Sequence, residues 1–114
     1  MLEKDAKIFV AGHHGLVGSA IWNNLLQRGY TNLTGRSHKE LDLLDGVAVK
    51  KFFDEEKPDA VVLAAAHVGG IMANLQYRAD FIYRNLQIQQ NVIGESFRHG
   101  VKKLLFLGST CIYP

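Results

Sequence analysis

The stretch FVAGHHGLVGSAI, residues 9 to 21, runs an apolar segment into three glycines spaced three apart, and this constrains the chain more than any other feature. An apolar run ahead of such a turn reads as a strand. After it, Leu16, Val17, Ala20, Ile21, Leu25 and Leu26 recur at helical spacing. Gly12 permits a tight turn, Gly15 lets a ligand approach the backbone with no Cβ in the way, and Gly18 lets the helix pack close to the strands. The first amides of a helix have no partners within it and sit at its positive end, so such a turn suits a diphosphate. The spacing is G-x-x-G-x-x-G rather than G-x-G-x-x-G, and a turn that serves only structure is the alternative. The strand before and the helix after favour nucleotide binding by residues 12–18, with His13, His14, Leu16 and Val17 filling the turn.

The rest of the chain repeats the alternation. KIFVA (7–11) reads as the first strand, GLVGSAIWNNLLQRG (15–29) as a helix that stops at Gly29, and TNLTG (31–35) as a weak second strand. VAVKKFFDEEKP (47–58) reads as a helix that ends before Pro58, because the residue preceding a proline disfavours helix. AVVLAAA (60–66) is apolar without alternation, as in a strand covered on both faces. A long helix is predicted from around Asp80 to Arg98, with Phe81, Ile82, Leu86, Val92, Ile93 and Phe97 as its apolar positions and His99-Gly100 as its end. KLLFLG (103–108) is the last predicted strand. The order predicts an α/β fold: a Rossmann-like parallel sheet with helices on both faces, of about four strands.

The end of the second strand bears on which dinucleotide is bound. A carboxylate there accepts from a ribose 2′-hydroxyl, but the chain reads TGRSHKE, with Arg36 near that position and no acid before Glu40. A guanidinium suits a 2′-phosphate, and a charge-assisted hydrogen bond would favour NADP over NAD by about 10- to 100-fold. His14 adds a donor to the same phosphate, and more charge if protonated; a solvated loop arginine and a polar filler are the alternatives. His38 lies on this loop, and Asp42 and Leu43 in ELDLLD flank the adenine, unless Asp42 is instead the N-cap of the next helix.

Further site residues follow from the carboxyl ends of the later strands. Ala64, Ala65 and Ala66 leave room for ribose and nicotinamide, and Val68, Gly69 and Gly70 open a loop for substrate, although close packing of a buried strand also explains the alanines. Ser109, Thr110 and Cys111 follow the last predicted strand, so they emerge at the same edge. A serine there can donate to a carbonyl oxygen as it gains charge, and the Cys111 thiol can move a proton on and off the neighbouring carbon. Both also fit as small residues that merely end a strand.

Composition adds limits. The chain has 114 residues, 47% apolar and 21% charged, and a formal charge of +2, with no basic run to mark a nucleic-acid or membrane surface. One cysteine forms no internal disulfide, and no secretory leader or bilayer-length apolar stretch is present, so a cytoplasmic protein is expected. The five histidines include no pair at metal-ligand spacing, so no metal site is expected; His99 reads as a helix-terminal residue at the negative end of its dipole.

Together AGHHGLVGSAI, AAAHVGGIMAN, ADFIYRNLQIQQNVI and VKKLLFLGSTCIYP resemble the GDP-L-fucose synthases, NADPH-dependent epimerase/reductases of the extended short-chain dehydrogenase/reductase class. The resemblance covers essentially the whole chain. It implies that residues 1–114 are the N-terminal part of an NADP-binding Rossmann domain, and that the parent is a homodimer joined through helices and acts on GDP-4-keto-6-deoxymannose. It also implies that Ser109 orients the sugar's 4-keto group, that Cys111 takes part in epimerisation at C3 and C5, and that 38–43 and 107–110 line the cofactor. Asn85 matches an asparagine the class often carries. The chain departs from the family at His14, usually arginine; at His67, usually lysine; at Arg78, usually proline; and at Thr110, commonly serine. The family's Tyr-x-x-x-Lys pair falls after residue 114, so the chain alone is expected to be inactive, to bind cofactor weakly or not at all, and to aggregate. The rival readings are another NAD(P)-dependent nucleotide-sugar epimerase or dehydratase, and a non-catalytic NADP-binding protein of the same fold.

Overall fold

The structure is a computed structural model and describes residues 2–64 and 75–106. Seven elements alternate: β1 (Ile8–Ala11), α1 (Leu16–Gln27), β2 (Leu33–Thr34), α2 (Gly46–Glu56), β3 (Ala60–Leu63), α3 (Leu75–Arg98) and β4 (Lys103–Phe106). The four strands form one parallel sheet in the order β2-β1-β3-β4, with Val10 opposite Val62 and Val62 opposite Leu105. The chain therefore steps from β1 to one side and then returns across it to the other. That reversal opens a crevice at the carboxyl ends of β1 and β3.

Strand periodicity sorts the core into two layers. Phe9, Ala11, Val61 and Leu63 point to one face and bury there against Val49, Phe52 and Phe53 of α2 and Ile88 and Val92 of α3. Ile8, Val10, Ala60 and Val62 point to the other, where Ile21, Trp22 and Leu25 of α1 pack. All four residues of β1 and of β3 are buried, which explains why neither strand shows polar alternation. At the rim, β4 leaves Leu104 and Leu105 exposed, as expected of an apolar edge strand.

The helix stops are local. Gly29 and Gly100 adopt positive φ after α1 and α3. Lys57 does the same after α2, immediately before Pro58. Two expectations for α3 change. The helix begins at Leu75 rather than around Asp80, since LQYRA contains no helix breaker. Leu86 and Phe97 are 57% and 77% exposed, so only part of the apolar periodicity serves the core, through Ile88, Val92 and Ile93.

The end of α3 is tied to α2 through His99. Its Nδ1 lies 2.9 Å from the Glu95 carbonyl and its Nε2 2.6 Å from Asp54 Oδ1, with the ring against Phe53. Both ring nitrogens face acceptors, an arrangement only the imidazolium satisfies fully. The hydrogen bond to Asp54, then that to the Glu95 backbone, raises the His99 pKa against the opposing effect of burial.

Candidate functional site

The glycine turn is built by two backbone requirements. Gly12 has φ +88°, a region that disfavours side chains, and its carbonyl accepts from the Gly15 amide at 3.0 Å. A Cβ on Gly18 would lie 1.9 Å from the Gly12 carbonyl oxygen, so the first turn of α1 sits directly against the turn that precedes it. Gly15 is the N-cap of α1, extended at φ −72°, and no side chain caps the helix. The amides that open α1 therefore stand without a side-chain partner at the positive end of the helix.

The facing wall comes from the segment after β2, which folds by local polar contacts. Ser37 and Glu40 form a reciprocal capping box: the Ser37 amide donates to Glu40 Oε1 at 2.7 Å and the Glu40 amide to Ser37 Oγ at 3.3 Å. The bond from the Ser37 amide, then one from the Ser37 side chain, holds the Glu40 pKa below its ordinary value. Asp42 Oδ1 accepts from the Leu44 amide, and Asn91 Nδ2 of α3 donates to the Leu43 carbonyl at 2.8 Å. The N-cap of α2 is Asp45, whose carboxylate accepts from the Val47 and Ala48 amides. The capping role held open for Asp42 thus belongs to the acid three residues later.

Between these walls lies a cavity of about 250 Å³ lined by Gly12, His13, His14, Gly15, Arg36, His38, Leu41, Leu43, Ala64 and Ile88. The fold thus gathers eight of the sequence candidates, from four separate stretches, at the carboxyl ends of β1 and β3. Leu16 and Val17 contribute backbone at the helix opening, but their side chains line a different space. That space is a largely apolar hollow of about 740 Å³ between α1 and the sheet, with Arg28 and Lys103 also on its lining. Asp42 is exposed and does not line the smaller cavity. Ala65, Ala66, Val68, Gly69, Gly70, Leu107, Gly108, Ser109, Thr110 and Cys111 lie outside the described residues, as does His67.

The two histidines of the turn stack on each other at 4.0 Å, and His13 also packs on Trp22 at 5.3 Å. Burial, then the neighbouring His14, lowers the His13 pKa, which favours a neutral ring. A Cβ on Gly35 would meet that ring at 2.6 Å, so Gly35 lets the two walls close on each other. Arg36 donates from Nη1 to Thr34 Oγ1 at 3.0 Å and to the Gly35 carbonyl at 2.9 Å, and Nη2 lies 3.2 Å from Glu56 Oε2. Its guanidinium carbon stands 5.1 Å from the Phe52 ring centre. Sequence reasoning missed Ile88, Thr34, Phe52 and Glu56, while Leu41 falls within the segment 38–43 that the family resemblance implied. Only the S-x-x-E pattern of the capping box was a usable signal in this region; the others are brought in from distant elements.

Among the described residues no group of three histidine, cysteine or acidic side chains is placed to hold a metal, and no helix is long and apolar enough to cross a membrane.

The model of the NAD dependent epimerase/dehydratase family matches residues 8–114. GDP-L-fucose synthase 1 of Arabidopsis thaliana is 63% identical over 114 residues, all of this chain and 35% of that protein. A GDP-mannoheptose C4 reductase from Campylobacter jejuni with NADP bound superposes with a TM-score of 0.86 at 50% identity, over 93% of this chain and 33% of that one. A GDP-L-fucose synthetase from Naegleria fowleri bound to NADP superposes with a TM-score of 0.83 at 30% identity, over 100% of this chain and 37% of that one. The chain spans about a third of the length of the relatives it matches.

Proposed function

The chain belongs to the NAD dependent epimerase/dehydratase family, and on that premise we propose that it is the cofactor-binding portion of a GDP-L-fucose synthase. The observation that carries the choice within the family is the 63% identity to the Arabidopsis thaliana enzyme across all 114 residues. The reaction so proposed converts GDP-4-keto-6-deoxymannose to GDP-L-fucose, by proton transfers at C3 and C5 and reduction at C4.

The residues present fit NADP. The opening amides of α1 have no side-chain cap, the turn carries no Cβ at Gly12, Gly15 or Gly18, and a guanidinium lines the same cavity. The amides of residues 16–18 would hold the diphosphate, while Arg36, with His14 beside it, would hold the 2′-phosphate. Leu41, Leu43 and Ile88 provide apolar wall for the adenine, with His38 at its rim, and Ala64 to Ala66 leave space for ribose. When bound, NADPH supplies the hydride. Of this chain's own groups, Ser109 donates to the 4-keto oxygen, Cys111 moves the proton at the adjacent carbons, Leu107, Gly108 and Thr110 line the cofactor, and Val68 to Gly70 face the sugar; these roles rest on the family resemblance.

A second copy pairs through α3 in this reading. Tyr83, Leu86 and Phe97 are exposed and fall within about 60° of one another around the helix, an apolar stripe the core does not use. A cytoplasmic location suits the ordinary composition and the lone Cys111.

The test supplies NADPH and GDP-4-keto-6-deoxymannose to the purified protein in its full natural length. Loss of NADPH absorbance with formation of GDP-L-fucose is expected. Reduction without inversion at C3 and C5 would assign it instead with the C4 reductases, of which the Campylobacter jejuni protein is 50% identical. Failure to bind NADPH would overturn the reading.

A further inference from the structure

The cation assigned to the 2′-phosphate is not alone at the cavity wall. Glu56, at the end of α2, shares its carboxylate between two cations. Oε1 lies 2.6 Å from Lys7 Nζ at the foot of β1, and Oε2 lies 3.2 Å from Arg36 Nη2. All three side chains are only 25–32% exposed, so the charges act on one another through partly desolvated surroundings. The shorter contact is to Lys7, and it is the hydrogen bond from Lys7, ahead of the charge of Arg36, that lowers the Glu56 pKa.

A guanidinium has five N–H donors. Two of those on Arg36 are used, both on Nη1, while Nη2 meets Glu56 as an ion pair. Among the described residues no hydrogen bond is accepted from Nε–H or from Nη2. Nε–H and one N–H of Nη2 lie on one edge and form the fork that grips a phosphate. Glu56 alone beside Arg36 would cancel its charge and oppose an incoming dianion. With Lys7 on the other oxygen, the triad keeps one positive charge. The nearby Glu40 is turned onto the Ser37 amide.

We propose that Lys7, which does not line the cavity, sets its selectivity for a 2′-phosphorylated dinucleotide by occupying Glu56 and so leaving the charge of Arg36 to the ligand. Lys7 is thus a positioning residue acting through Glu56. The inference rests on the reading that Arg36 receives the 2′-phosphate.

The test is calorimetric titration of the purified full-length protein with NADP and with NAD. Lys7→Met keeps the alkyl stem, and Lys7→Gln serves as a second removal of the charge should the first misfold. Either variant is expected to weaken NADP by about 2- to 5-fold, the range of a partly exposed charge, and to leave NAD unchanged. Lys7→Arg restores the NADP affinity. Glu56→Gln alone leaves NADP at least as tight as in the natural protein, and Lys7→Met with Glu56→Gln returns it to the natural value, a recovery that loss of structure cannot produce. Equal weakening of NAD and NADP, no change in either, or a double variant as weak as Lys7→Met overturns the proposal. An NADP-to-NAD ratio unmoved by Arg36→Ala overturns the underlying reading instead.

Discussion

Helices α1 and α2 both follow a strand of the same sheet, yet their N-termini are finished in opposite ways. At α2 the Asp45 carboxylate accepts from two opening amides, so that end is closed by its own sequence. At α1 the corresponding position is Gly15, which offers no side chain, and the amides stay open to the cavity. With glycine as its N-cap, α1 forgoes roughly a few tenths of a kcal/mol relative to an aspartate cap. The comparison therefore separates a helix end closed by a carboxylate from one whose amides have no side-chain partner.

The most severe way to break the open end is Gly18→Val. The added Cβ collides with backbone at the Gly12 carbonyl, so thermal denaturation should show a loss above about 3 kcal/mol or no folded protein. A subtler change transplants the closed end onto the open one. Gly15 is already extended and its Cβ would meet Gly12 only at 3.4 Å, so Gly15→Asp is accommodated. It should raise stability by roughly a few tenths of a kcal/mol and, by placing a carboxylate where phosphate belongs, weaken NADP by about 10- to 100-fold in calorimetry. The reverse change, Asp45→Ala, should cost about 1 kcal/mol in denaturant melts and leave NADP affinity as it was. If Asp45→Ala weakened NADP as strongly as Gly15→Asp, the contrast between the two ends would fail.

The smallest effect probes the α2–α3 contact by pH. The folded pKa of His99 is raised, so its contribution is fully present below the ordinary value of 6.5 and is lost as pH rises through the folded value. That of Asp54 is lowered, first by the hydrogen bond from His99, so its contribution is lost on acidification through its own folded value. Melting temperature should fall by a few degrees as pH rises above neutrality, and His99→Gln should flatten that slope.

The glycine turn, the alternation of strands and helices and the stops at Gly29, Pro58 and Gly100 were legible because each obeys a rule acting over a few residues. The candidate site was half legible. Gly12, His14, Arg36 and Ala64 meet at one cavity as their positions after successive strands implied. Ile88 was invisible as a wall residue, since nothing in its local pattern distinguishes a cavity lining from core. The α3 periodicity misled at Leu86 and Phe97 because an apolar side chain at helical spacing reports a face, not what covers it.

The sequence alone determined the parallel α/β order and the anion-ready turn, for steric and hydrogen-bonding rules at glycine and proline act wherever the chain goes. Only the tertiary structure decided which side chains close the cavity and what charge Arg36 presents. Lys7, Arg36 and Glu56 come from the start of β1, the loop after β2 and the end of α2, and their ion pairs exist only because the sheet sets β1 between its neighbours and lays α2 across it.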